Sequence, residues 1–100
     1  MNQYIKRIEE AWENRELLKN NDTQELIREI INLLDKGELR VAEPDGAGNW
    51  KVNEWVKKAV IMYFPIQQMK VIECPPFEFY DKITLKTNYQ KLGVRVVPHA

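Results

Sequence analysis

Few side chains in this sequence stand where chemistry could be done, and one arginine is the most telling. Arg95 lies in the run GVRVVP at residues 93–98, where strand alternation would send valines to one side and the guanidinium to the other. A planar guanidinium fork binds a carboxylate through two parallel hydrogen bonds, so the position suits an anion site. Local spacing alone favours the plainer alternative, a strand arginine making an ordinary surface contact. His99, the single histidine, is read as a solvated side chain and not as a general base. Cys74, the sole cysteine, precedes two prolines and has no histidine near it in sequence, so a buried or idle thiol is expected. An intrachain disulfide and a cysteine-rich metal site are both excluded. The sequence contains no Gly-rich phosphate loop, nucleophile elbow or zinc-type spacing, and no catalytic residue or metal ligand is assigned. Lys57 and Lys58 follow Glu54 by three and four residues, the order of a helix-surface ion pair, which outweighs phosphate binding. Trp12, Trp50 and Trp55 recur on apolar helical faces or in a hairpin, and core packing is favoured over a stacking platform.

The elements that would position these groups follow from periodicity. Tyr4, Ile8, Ala11 and Leu18 mark one face of an amphipathic helix over residues 3–19. Residues 20–22 interrupt it, and Asp22 with Glu25 resembles a capping box for a second helix with Ile27, Ile30, Ile31 and Leu34 as its buried stripe. Gly37 can end that helix in the left-handed conformation. Alternation at residues 39–43, a stop at Pro44, a turn at 45–48 and a strand at 50–52 predict a small β-hairpin. Asn53 is placed to cap a third helix over residues 54–64, with Pro65 preventing continuation. Beyond it the signals weaken: residues 70–73 could form a strand, Pro75 and Pro76 call for an extended link, and mostly irregular structure is expected through residue 92. One helical turn at 88–92 would end at Gly93, followed by a short strand at 94–97.

Composition bounds the rest. One hundred residues fit one domain with a modest core, so residues 1–100 are read as a single unit. Fifteen basic and fifteen acidic residues cancel, leaving no field to attract nucleic acid or an anionic membrane, and neither is expected as a partner. The halves differ in sign, with 7 Lys or Arg against 11 Asp or Glu in residues 1–50 and 8 against 4 in residues 51–100. Complementary packing of the halves is favoured over a basic half that meets acidic ligands. No apolar run reaches the ~20 residues of a membrane helix, the N-terminus lacks a signal-peptide core, and a soluble cytoplasmic protein is expected.

Several separated blocks carry a family resemblance. Ile8, Glu9, Ala11, Trp12, Glu13 and Arg15 form the first, and LLDKGELRVAE at residues 33–43 the second. Trp50, Trp55, Lys57, Lys58 and Ala59 follow, then Tyr80 to Ile83, then Gly93 with Arg95, Val96, Val97 and Pro98. Together they resemble the N-terminal domain of bacterial tetrahydrodipicolinate N-succinyltransferases. CPPFEF at 74–79 departs from that pattern and TNYQKL at 87–92 looks shortened, but neither departure touches Arg95.

The resemblance implies a mainly α fold, a small three-helix domain with a short β-hairpin. The left-handed β-helix of the family is absent from these residues. It implies a parent enzyme of lysine and diaminopimelate biosynthesis that moves succinyl from succinyl-CoA to the amine of ring-opened tetrahydrodipicolinate. Succinyl-CoA is there a co-substrate and no cofactor is implied. Arg95 becomes a substrate carboxylate-binding residue. Homotrimer formation and the catalytic groups belong to the β-helix, so the chain alone is expected to be inactive. The alternative is a free-standing helical module that binds a protein partner through an apolar face.

Overall fold

The computed structural model describes residues 2–98. By internal contacts the chain divides into two compact units, residues 1–68 and 69–100. The fold is mainly helical with two small antiparallel sheets.

In the first unit, α1 (Asn2–Glu13) is followed by a 3₁₀ turn (Arg15–Lys19) and α2 (Asn21–Asp35). The continuous helix predicted to residue 19 therefore breaks at Asn14. That residue is extended, and its side-chain oxygen accepts from the Glu16 backbone N–H at 3.2 Å. Asparagine competes well for such donors, which is why it interrupts a periodic apolar pattern. The cap of α2 lies two residues earlier than Asp22. Asn20 Oδ1 accepts from the Asp22 N–H at 2.8 Å, satisfying one of the donors a helix start leaves free. Asn20→Ala is expected to cost about 1 kcal/mol and Asp22→Ala distinctly less. Thermal unfolding followed by circular dichroism separates the two, and the reverse order would restore Asp22 as the cap.

Thr23, Leu26, Ile27 and Ile30 form the buried stripe of α2, at the 3-4 spacing of one helical face, while Ile31 and Leu34, expected in it, are only half-buried. Gly37, at φ +78°, ends the helix as its composition predicts. Its N–H donates to Leu34 O at 3.1 Å and Glu38 N–H to Leu33 O at 2.9 Å, the paired closure of a Schellman motif.

Strands β1 (Ala42–Pro44) and β2 (Trp50–Val52) form the predicted hairpin, with Ala42 opposite Val52 and Pro44 opposite Trp50. Asp45 builds the turn, its Oδ1 accepting from Ala47 N–H at 2.8 Å and Asn49 N–H at 3.1 Å. Asn53 does not cap the next helix with its side chain. Its Nδ2 donates to Arg40 O at 2.7 Å and its N–H to Val41 O at 2.7 Å, so the residue fastens the hairpin entry instead.

Helix α3 (Glu54–Ile66) contains Pro65 in its last turn, one residue past the predicted stop. Proline disrupts the i−4 bond, a heavy cost in a helix interior and a small one where the helix is ending. Gln67 N–H closes the turn on Phe64 O at 3.2 Å. Arg28 of α2 reaches the same end, donating from Nη2 to Ile66 O at 3.2 Å and from Nε to Gln67 Oε1 at 3.3 Å, a favourable place for a cation. Val56, Ala59, Met62 and Tyr63 of α3 join Ile8 and Ala11 of α1 and the α2 stripe in the core.

In the second unit, β3 (Lys70–Cys74) and β4 (Phe77–Asp81) pair antiparallel with Cys74 opposite Phe77. The sequence leaves a strand open at residues 70–73, which forms, and expects mostly irregular structure beyond it, where β4 forms instead. The two prolines that read as an extended link instead reverse the chain, with a cis bond between Pro75 and Pro76, as a type VI turn has. A short helix α4 (Tyr89–Leu92) follows.

Candidate functional site

Arg95 leaves α4 through a fixed exit. Gly93 sits at φ +71°, its N–H donates to Gln90 O at 3.3 Å, and Val94 N–H donates to Tyr89 O at 2.9 Å, so the helix closes with a second Schellman motif. The strand predicted at 94–97 is not formed: residues 94–97 have no ladder partner among the described residues. Alternation there reports no buried face, since Val94, Val96, Val97 and Arg95 are all exposed. Among the described residues no carboxylate pairs with Arg95. The exposed guanidinium is thus open to an anion, and its planar fork has the geometry of a bidentate contact.

The other groups singled out in the sequence are dispersed. His99 lies outside the described residues. Cys74 is exposed at the end of β3, not buried. Trp50 is 65% exposed on the first hairpin, against the expected core role, while Trp12 and Trp55 are half-buried. Lys57 is exposed, and Lys58 does not pair with Glu54. Lys58 Nζ instead meets Glu9 Oε2 on α1 at 2.7 Å.

That pair belongs to a cluster the local spacing could not reveal, because its members are 49 residues apart. Lys58 Nζ lies 5.7 Å from the centre of the Trp12 ring, and Arg15 stacks over the same ring at 4.4 Å while its Nε donates to Trp12 O at 3.2 Å. With side-chain exposures of 27% for Lys58 and 41% for Glu9, solvent screening limits the ion pair to roughly 0.5–1 kcal/mol. The only prior signal was that Glu9, Trp12, Arg15 and Lys58 all fall in family-like blocks. The cluster is a brace between α1 and α3, with both charges and the ring face already engaged.

Two open clefts mark the helical unit. One is lined by Lys6, Glu9, Glu10, Glu13, Asn14 and Leu17, the other by Tyr4, Arg7, Asp22, Glu25, Leu26 and Glu29. Each has three carboxylates and one cation, the wrong sign for an anionic ligand. Among the described residues, no group of three or more His, Cys, Asp or Glu side chains could hold a metal. No helix of the described residues is long and apolar enough to cross a membrane.

Comparison with known proteins matches residues 3–66 to the family described as Tetrahydrodipicolinate N-succinyltransferase N-terminal, a span that nearly coincides with the first unit. A Coxiella burnetii protein named 2,3,4,5-tetrahydropyridine-2,6-dicarboxylate N-succinyltransferase is 42% identical over 101 residues, covering 93% of this chain and 37% of its own length. Proteins of the same name from Bordetella petrii and Xylella fastidiosa are 44% and 37% identical, covering 93% and 96% of this chain and 37% and 38% of their own lengths. The chain therefore spans little more than a third of the curated relatives it matches. Since the family match takes in most of the helical unit, and the relatives align with the helices and both hairpins alike, the chain belongs to the tetrahydrodipicolinate N-succinyltransferase N-terminal family.

Proposed function

We propose that this chain is the N-terminal scaffold of an enzyme that transfers succinyl from succinyl-CoA to the amine of ring-opened tetrahydrodipicolinate in lysine and diaminopimelate biosynthesis in the cytoplasm. The observation that carries it is the alignment of more than nine-tenths of the chain with proteins named as tetrahydropyridine-dicarboxylate N-succinyltransferases.

Acyl transfer to an amine requires a deprotonated amine, an acyl carbonyl polarised at the tetrahedral stage, and cations that hold the substrate carboxylates. Arg95 serves the last requirement, gripping one carboxylate of the acceptor through its fork so that the amine is held in reach of the thioester. The base and the donors for the developing oxyanion come from polypeptide outside the matched stretch, as does the homotrimer contact. The helical unit, braced by Glu9, Trp12, Arg15 and Lys58, acts as a rigid base and binds neither anionic substrate.

By this reading the purified chain, given succinyl-CoA and the amino-dicarboxylate acceptor, releases CoA no faster than buffer does. Release that depends on enzyme concentration would refute the assignment of chemistry elsewhere. A second reading, a free-standing protein-interaction module, draws on Trp50 and Val52, which share one face of the first hairpin and are 65% and 50% exposed. A stable complex with an unrelated protein, lost on Trp50→Ala, would favour it.

A further inference from the structure

No described apolar side chain of the second unit is fully buried, and its hairpin divides them between two faces. Paired residues of an antiparallel ladder face the same side. Ile72 with Phe79 and Cys74 with Phe77 therefore share one face, with Lys70 and Asp81 at its far end. The opposite face sets Glu73 directly across from Glu78, beside Val71 and Tyr80, which are 58% and 65% exposed. Opposed like charges are tolerated only in water, so this second face is the solvated one. On the first face Phe79 is 53% and Phe77 48% exposed. No described residue of 69–98 is buried, and Leu85, Leu92, Val96 and Val97 add further exposed apolar surface. A unit of about 30 residues is too small to build a core alone, and apolar surface of this kind is normally covered.

Two lengths identify the cover. The family match ends at residue 66, before the hairpin. Yet an alignment over 93% of a 100-residue chain necessarily includes residues 8–93, and so both strands. In those relatives the aligned stretch is 37% of the polypeptide, so most of each relative lies beyond it. The hairpin face itself is small. Two five-residue strands offer roughly 17 Å by 10 Å, on the order of 200 Å², against the ~800 Å² per partner of a stable free interface. A patch of that size is too weak for a dimer of two copies but sufficient for a surface on the same polypeptide, where effective concentration replaces area.

We propose that the face carrying Ile72, Cys74, Phe77 and Phe79 docks onto an apolar surface of the further polypeptide that the family enzymes carry. This rests on reading the chain as the N-terminal part of such an enzyme. The test grafts this chain in place of the aligned stretch of the Bordetella petrii succinyltransferase and follows amide hydrogen exchange and thermal unfolding.

Amides of β3 and β4 are expected to exchange at least about tenfold more slowly in the graft than in the isolated chain, and Phe79→Asp should remove that protection. The same substitution in the isolated chain should leave its exchange unchanged, and Glu78→Gln on the solvated face should change neither. If the Phe79→Asp graft alone fails to fold while the unsubstituted graft and the isolated variant fold, docking is supported. Equal exchange in graft and isolated chain would overturn it, as would an unsubstituted graft that does not fold. An isolated chain that sediments as a dimer and dissociates on Phe79→Asp would assign the face to a second copy. Loss of succinyl transfer with hairpin protection intact would count against the proposed activity and leave the docking in place.

Discussion

Ile30→Ala is expected to remove most of the stability of the helical unit. Ile30 has no exposed surface and lies with Ile27 on the buried stripe of α2, the helix that packs on α3, whose Val56, Ala59 and Met62 are likewise fully buried. Truncating a fully buried isoleucine costs its transfer free energy plus the cavity left behind, together about 2–5 kcal/mol. A unit of this size has only about 3–10 kcal/mol to lose. The midpoint of thermal unfolding should therefore fall by roughly 8–40 °C, since each kcal/mol is worth about 4–8 °C at this length. Ile61→Ala supplies the control: Ile61 is on α3 but 44% exposed, and its truncation should move the midpoint little. Equal shifts for the two variants would mean that the core lies elsewhere.

The second large effect concerns substrate binding by the grafted enzyme. Arg95→Ala should raise KM for the dicarboxylate acceptor by about 10–100-fold, the equivalent of the 1.5–3 kcal/mol carried by hydrogen bonds to a charged group. KM for succinyl-CoA should change by less than about threefold, because uniform loss of acceptor binding leaves donor binding alone. Arg95→Lys should recover only part of the loss, as an ammonium keeps the charge without the planar fork. Steady-state kinetics with each substrate varied in turn provide the check. The side chain is exposed and pairs with no carboxylate among the described residues, so the substitution should not disturb folding. An equal rise in both KM values would remove Arg95 from the acceptor site.

Much of the helical unit was legible in the sequence because its signals are local. Of the stripe read on α2, Ile27 and Ile30 are buried and Ile31 and Leu34 only half-buried, Val56, Ala59 and Tyr63 keep the spacing of a buried helical stripe on α3, and Gly37 has the one backbone freedom its closure needs. The misplacements share a cause. At Asn14, Asn20 and Asn53 a side-chain amide chooses between several backbone partners, and composition does not say which one wins. Only the first strand of the β3–β4 hairpin was legible, at residues 70–73, because Pro75 and Pro76, which lie in its turn, read as an extended link.

The site was less legible than the fold. Alternation around Arg95 suggested a strand, but valines exposed at 94, 96 and 97 show that the pattern does not record a buried face. The role proposed for Arg95 comes from the family-like run GVRVVP, not from periodicity. Lys58 illustrates the converse limit: its nearest carboxylate in sequence, Glu54, is not its partner, and Glu9 becomes so only through the packing of α1 on α3.

The most direct test of the scaffold role is the rate of succinyl-CoA-dependent transfer by the Bordetella petrii enzyme carrying this chain in place of its own aligned stretch. Retention of activity within about tenfold of the unaltered enzyme, a difference of 1.4 kcal/mol in the barrier, is the expected result. A graft that folds, binds succinyl-CoA and yet transfers nothing to the acceptor would contradict it.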